Sequence, residues 1–338
     1  YMDNLDRNGV TWALPFFTFE SEPDEDMLVT HTGLGYVVHA VQEYPGRIFP
    51  YYNPGLGGEE IEDEHLLGDE LTEMYEENLS ASVSIVGSDF FQGLGELETQ
   101  EWSIAHDSNE MRQLFDLAED YTINAMFHPV ASKIDQVENV IELYPDITFL
   151  IHMYRDDLSD SLDDLIEILE THDNLYFSID AAHIAHYNNQ DILYDACSAS
   201  RFISQFDSYY DQMLENAIDD YTELVSSVPE KVMWGTEAGP AYAFDPDVYD
   251  RLIKISRELI GAMDEEDQEG LAYKNALRVF GEGITLTRDV DVYDTSDWED
   301  CSDDQIDVCD EECGVNDACF ELCVFRAECV DAEADEDE

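Results

Sequence analysis

Two histidines close short apolar runs. His128 follows Ile123 to Phe127, and His152 follows Ile147 to Ile151. Near neutral pH an imidazole can bind a divalent metal, exchange a proton or hydrogen-bond a substrate. One histidine in such a place is ordinary; two at matching places in one repeating unit point to chemistry. A further group, Asp180-Ala-Ala-His183-Ile-Ala-His186, follows the apolar run Leu175 to Ile179. Histidines three apart can share a helix face, where His183 and His186 would contact substrate or complete a site; the same residues also read as a polar loop entering a helix. Arg155, just beyond His152, can meet a substrate carboxylate or phosphate, or pair with Asp156 and Asp157.

The elements that must position these groups follow from periodicity. Between the two apolar runs, Ile134, Val137, Val140, Ile141 and Tyr144 recur at helical spacing and stop before Pro145, so the stretch reads strand, helix, strand. Runs apolar on both faces suit a parallel sheet covered by helices and joined by a right-handed crossover. Both histidines then sit at C-terminal strand ends, where parallel α/β folds bind ligands. The rest of the chain continues the alternation. Met2 to Asn8 reads as a helix, Val10 to Leu14 as a strand, Tyr36 to Val41 as helical, Arg47 to Tyr52 as a strand, Leu66 to Leu79 as a helix and Phe90 to Glu98 as a strand. Helices follow at Met111 to Ala118 and Leu162 to Leu169, then a long, mostly helical segment to Pro229. Val232 to Gly235 is the last strand, and Val248 to Met263 and Glu265 to Phe280 are closing helices. The class is α/β. Seven strands leave the chain one short of a closed (β/α)8 TIM-type barrel. The first strand is expected to be missing or truncated, because the sequence enters at Tyr1 in what reads as the middle of a helix.

With 338 residues, 44% hydrophobic, the chain can bury one large core or two modest ones. No apolar run approaches the roughly 18 residues of a membrane-crossing helix. Against 81 Asp and Glu stand 14 Lys and Arg, a formal charge of -67 spread along the whole sequence. Such self-repulsion opposes compaction in dilute buffer, and salt relieves it by shortening the Debye length to about 3 Å at 1 M. This reads as adaptation to a high-salt environment. It also disfavours direct nucleic-acid binding over a broad surface, which needs a basic patch.

Composition changes near Asp291, dividing a barrel (residues 1–290) from a cysteine-rich module (291–330) and an acidic, disordered tail (331–338). Cys309 and Cys313, then Cys319 and Cys323, form two C-x3-C pairs that can staple a small helical hairpin, and Cys301 and Cys329 would make a third bridge among the roughly 15 connectivities that six cysteines allow. Disulfides imply an oxidising, extracellular or secreted setting, and a zinc site is the rival reading of the same spacing. Cys197 reads as a buried thiol. His31, His39, His65, His106 and His172 sit in acidic loops or helices and receive no role.

The ordered segments M-D-N-L-D-R-N-G-V at the start, G-L-G-E-L-E at Gly93, F-H-P at Phe127, F-L-I-H-M at Phe149, W-G-T-E-A-G at Trp234 and Y-K-N-A-L-R-V-F at Tyr273 resemble the amidohydrolase superfamily, in particular its amidohydrolase-2 and TatD-like branches. The resemblance implies a distorted (β/α)8 barrel with one or two divalent metals at the C-terminal strand ends. Residue by residue, it makes Glu96 the metal-binding carboxylate of strand four, His128 and His152 the ligands ending strands five and six, and Glu237 the ligand and general base of strand eight. Glu237 departs from the family's usual aspartate by one methylene, about 1.5 Å of reach. The family's H-x-H pair ending strand one is not among the residues given, so it lies upstream of Tyr1 or has been lost.

Two imidazoles with two carboxylates suit zinc, or manganese with more oxygen ligands. The implied activity is metal-dependent hydrolysis of a small carboxylated, amide or ester substrate by a metal-activated water, with Glu237 taking its proton. A decarboxylase on the same barrel and a non-catalytic secreted binding protein with a degenerate site are the alternatives. The sequence leaves the oligomeric state open. From the charge alone, the melting temperature is expected to rise steeply from low to molar NaCl or KCl; a Tm that does not change with salt contradicts this reading.

Overall fold

The computed structural model describes residues 1–15, 37, 40–41, 43–53, 75–76, 79–80, 83, 87–97, 99, 104–153, 155–188, 190–196 and 198–281. They fall into two units interleaved along the chain. The first takes residues 1–11, 99, 104–108 and 124–281; the second takes those between 12 and 97 and residues 109–123. Most of the helix Leu66 to Leu79, the boundary near Asp291, the six tail cysteines and the acidic tail lie outside the described residues, as do Cys197, His31, His39 and His65.

The chain opens in the first unit with α1 (Met2–Arg7). The second unit holds β1 (Tyr51–Tyr52), β2 (Gly93–Leu97) and α2 (Asn109–Tyr121). There β1 and β2 pair in parallel with Tyr51 opposite Gly93, and Ala13 bridges Ile48 in parallel. The strand expected over Val10 to Leu14 is reduced to that single bridge, since Pro15 has no N–H to extend a ladder.

The first unit resumes with β3 (Asn124–Phe127), α3 (Ile134–Leu143), β4 (Phe149–Ile151), α4 (Arg155–Thr171), β5 (Leu175–Asp180) and the four-residue α5 (Ala181–Ile184). A small antiparallel pair follows, β6 (His186–Tyr187) with β7 (Gln190–Asp191), then the 29-residue α6 (Ala199–Ser227) and β8 (Val232–Gly235). The closing helices are α7 (Pro246–Ala262), α8 (Glu265–Glu269) and α9 (Asn275–Phe280). Strands β3, β4, β5 and β8 lie side by side in that order, all parallel. The α/β class with parallel strands and alternating helices is therefore as expected.

Burial explains these choices. Phe149, Leu150 and Ile151 are all buried, so β4 is covered on both faces. In α3, Ile134, Val137, Val140 and Ile141 form the buried stripe, and the helix stops before Pro145 as the periodicity predicts. Ser198 caps α6 by accepting from the Arg201 N–H, and Asp245 caps α7 by accepting from the Asp247 N–H with Pro246 at the first helical position. Asparagines close the opposite ends of the strands. The Asn174 amide donates to the Tyr144 and Ile147 carbonyls, both at 3.0 Å, and that of Asn275 donates to the Pro229 and Val232 carbonyls at 2.7 and 2.6 Å. The single helix expected over Glu265 to Phe280 is instead two, joined by a π-helical turn at Gly270–Lys274. Among the described residues, no helix is long and apolar enough to cross a membrane.

His106, which the sequence leaves without a role, is fully buried in the first unit. Its Nε2 accepts the Val130 N–H at 3.0 Å, and its ring lies 6.0 Å from that of Phe127. Burial, helped by the Lys133 cation, lowers its pKa to about 4. Between about pH 6.5 and 4 the unfolded chain binds a proton that the folded chain refuses, so stability falls as pH falls through that window. Relative to His106→Gln, which keeps an acceptor without titrating, the wild-type protein should lose about 3 kcal/mol of unfolding free energy between pH 7 and 4. Parallel pH dependences in urea titrations of the two proteins would count against this.

Candidate functional site

Because β3, β4, β5 and β8 are neighbours and parallel, their C-terminal ends point the same way. His128 follows β3, His152 follows β4, Asp180 ends β5 and Glu237 lies two residues past β8. His183 comes from α5, directly after Asp180. The three histidine rings form a buried triangle: centroids are 4.6 Å apart for His128 and His152, 5.3 Å for His152 and His183, and 5.8 Å for His128 and His183. His152, Asp180, His183 and Glu237 each offer a ligand atom, all within 4.8 Å of one another.

The carboxylates pair with the imidazoles. His152 Nδ1 lies 2.8 Å from Asp180 Oδ2 and 3.4 Å from Glu237 Oε2, and His183 Nε2 lies 2.7 Å from Glu237 Oε2. Burial pushes the His128 pKa down, and the neighbouring His152 and His183 push it further, so it falls well below its ordinary value and the ring is neutral at pH 7. Burial also opposes charge on His183, but Glu237 beside it wins and the net shift is upward. Glu237 shows the converse: burial favours its neutral form, yet His183 and His152 hold it well below the usual carboxylate range.

Glu237 has φ of 46°, in the left-handed region that non-glycine residues avoid. Such strain persists where surrounding structure over-determines it, and it clusters at functional sites. Here the Glu237 carbonyl accepts the Gly239 N–H at 3.0 Å, and the Tyr194 hydroxyl reaches the same carbonyl at 3.5 Å. A Cβ at Gly239 would lie 2.5 Å from the Tyr194 oxygen, so a side chain there would push the tyrosine away. The Asp191 carboxylate holds this rim by accepting the Leu193 and Tyr194 N–H groups, each at 2.8 Å. Burial, with help from the Glu237 charge, raises Asp191 to about 6 despite those bonds.

The structure thus brings together His128, His152, His183 and Glu237. His186 is not among them. Helix α5 ends at Ile184, so His183 and His186 share no helix face, and His186 sits half-buried in β6. Arg155 is the first residue of α4. Glu96 belongs to the second unit, buried in β2, where its carbonyl accepts the Asn53 amide at 3.0 Å. Asp180 is the residue that sequence reasoning missed. It stands at the N-cap position of α5, and the signal that could have found it is its place at the end of β5, matching those of His128 and His152.

No family model matches the chain, and no curated protein is similar to it in sequence. Solved structures similar to it include a probable 2-pyrone-4,6-dicarboxylic acid hydrolase from Acinetobacter baumannii with citric acid bound, at 12% identity and TM-score 0.48 over 83% of this chain and 87% of that one. A protein named as a 2-pyrone-4,6-dicarboxylic acid hydrolase from Pseudomonas putida is similar at 14% identity and TM-score 0.47, over 83% and 86% of the two chains. One named as an amidohydrolase from Staphylococcus aureus is similar at 10% identity and TM-score 0.45, over 83% and 90%. At such distances the functional reading rests on the site itself.

If Glu237 sustains the charge on His183, then Glu237→Gln should let burial dominate and drop the His183 pKa below its ordinary value. Imidazole NMR titration of the metal-free protein should show His183 charged at pH 6 in the wild type and neutral in the variant; a charged His183 in both contradicts the assignment.

Proposed function

We propose that the chain is a metal-dependent hydrolase of the amidohydrolase type, built on a parallel α/β frame of barrel type and acting on a small carboxylated, amide or ester substrate. The observation that carries this reading is the buried convergence of three histidines and Glu237 at neighbouring strand ends. The donor set fits a divalent cation: His128 is held neutral with a lone pair to offer, His152 is oriented by a carboxylate, and Glu237 is held anionic. His128, His152 and Glu237 would hold the ion, zinc by the nitrogen-rich chemistry of the set, with manganese second. Bound there, the metal supplies a water of lowered pKa and a Lewis acid for the scissile carbonyl.

The chain's own residues do the rest. Glu237 Oε2 and His183 Nε2 form an ion pair at 2.7 Å. Held well below the usual range, Glu237 alone is a weak base; His183, raised, is the member of the pair able to keep a proton near neutrality and return it to a leaving group. Burial of all three rings keeps bulk water away from that proton. The acidic composition and the cysteine-rich segment support a secreted protein in a high-salt setting.

Elemental analysis after expression with zinc and manganese should find about one divalent metal per chain, and His128→Ala with His152→Ala should remove it. Against a panel of small carboxylated esters, amides and lactones, Glu237→Gln should lower kcat/KM by at least about 100-fold. Metal below about 0.2 per wild-type chain, given the tight binding expected of such ligands, would sink the proposal.

A further inference from the structure

Asp180 occupies the residue before α5 and is of a type that ordinarily caps a helix, yet its side chain makes no capping bond. Its carboxylate is turned elsewhere. Oδ2 lies 2.8 Å from His152 Nδ1, and Oδ1 accepts the Ser178 hydroxyl at 2.7 Å. Glu237 Oε2 is further from the same nitrogen, at 3.4 Å, so Asp180 is the principal acceptor. All three members of the chain are buried, with Ser178, Asp180 and His152 exposed by 4%, 3% and 0%. Strand alternation places Ser178 and Asp180 on one face of β5.

The neighbouring strand is shaped to admit this carboxylate. In the β5–β8 register Gly235 stands opposite Asp180. A Cβ on Gly235 would lie 2.0 Å from Asp180 Oδ1 and 2.8 Å from the Ser178 oxygen, the first a distance that no side chain can occupy. Four residues on three strand ends therefore agree on one arrangement.

We propose that Asp180 is a positioning residue: braced by Ser178 and seated in the space left by Gly235, it fixes the proton of His152 on Nδ1 and so leaves the lone pair of the ring on Nε2. A neutral imidazole has one N–H and one lone pair, so anchoring the first determines where the second points. The role of that lone pair rests on the cation-binding reading above; the tautomer does not. Outer carboxylates of this kind fix ring orientation and raise ligand basicity, and losing one costs about 10–100-fold in metal affinity.

Histidine-15N NMR of the metal-free protein reads the tautomer directly. The wild-type His152 should be the Nδ1–H form; Asp180→Ala and Gly235→Ala should lose it, and Ser178→Ala should shift it part of the way. Zinc affinity, read by competition with a chromophoric chelator, should fall about 10–100-fold in Asp180→Ala and less in Ser178→Ala. The cobalt-substituted wild type and Asp180→Ala should keep the same coordination number in their visible spectra. Circular dichroism checks folding, and if Gly235→Ala does not fold, Ser178→Ala decides. An Nε2–H tautomer in the wild type, a tautomer that does not change in Asp180→Ala and Ser178→Ala, or a changed cobalt coordination number would overturn the proposal. A wild type that binds no zinc but holds the Nδ1–H form would sink the cation reading and leave the positioning role standing.

Discussion

A carboxylate buried among imidazoles is the interaction on which this arrangement depends. Taking an ion out of water costs several kcal/mol even after relaxation, and a pair recovers this only when its partners meet at hydrogen-bond distance with their remaining atoms satisfied. Asp180 is buried and the Glu237 side chain is only 10% exposed, and each finds an imidazole within 2.8 Å. Those two contacts tie β4 to β5 and α5 to the segment after β8. The strained backbone of Glu237 is held by the Gly239 and Tyr194 contacts to its carbonyl, while its side chain lies among the histidines.

Much of this was legible in the sequence where one rule governed the outcome. The β3–α3–β4 stretch is stated by two apolar runs and a helical stripe, so the run-ending His128 and His152 could be placed before any coordinates. His183, Asp180 and His186 could not be sorted the same way. Helix α5 is one turn long and too short for periodicity, and the β6–β7 pair joins only two residues on each side, with no alternation to announce it. Asp180 carries the local signature of a cap, and what redirects it is a tertiary demand from His152. Gly235 gives no local sign, because the reason for its missing side chain lies on the adjacent strand. Likewise the π-helical turn at Gly270–Lys274 interrupts what reads as one helix.

Away from the site, the scarce cations serve as ties between helices. Arg7 of α1 meets Asp250 of α7 at 2.9 Å, Arg251 of α7 takes Asp207 of α6 at 2.8 Å, and Arg278 of α9 reaches Glu230 before β8 at 3.1 Å. Exposed pairs of this kind contribute about 0–1 kcal/mol each and weaken as salt rises. In a chain of charge -67, the same salt also screens repulsion among 81 Asp and Glu. Burial of the apolar faces of β4, α3, α6 and α7 in the first unit is not an interaction between charges and is not screened in this way.

The empty place at Gly235 also has a history written into it. As long as Asp180 keeps its carboxylate against Ser178, no other amino acid fits at residue 235; once Asp180 has shrunk, a larger residue there becomes acceptable and then blocks the aspartate's return. Descendants of such a chain can leave this arrangement in only one order of steps, and having left it they do not readily come back.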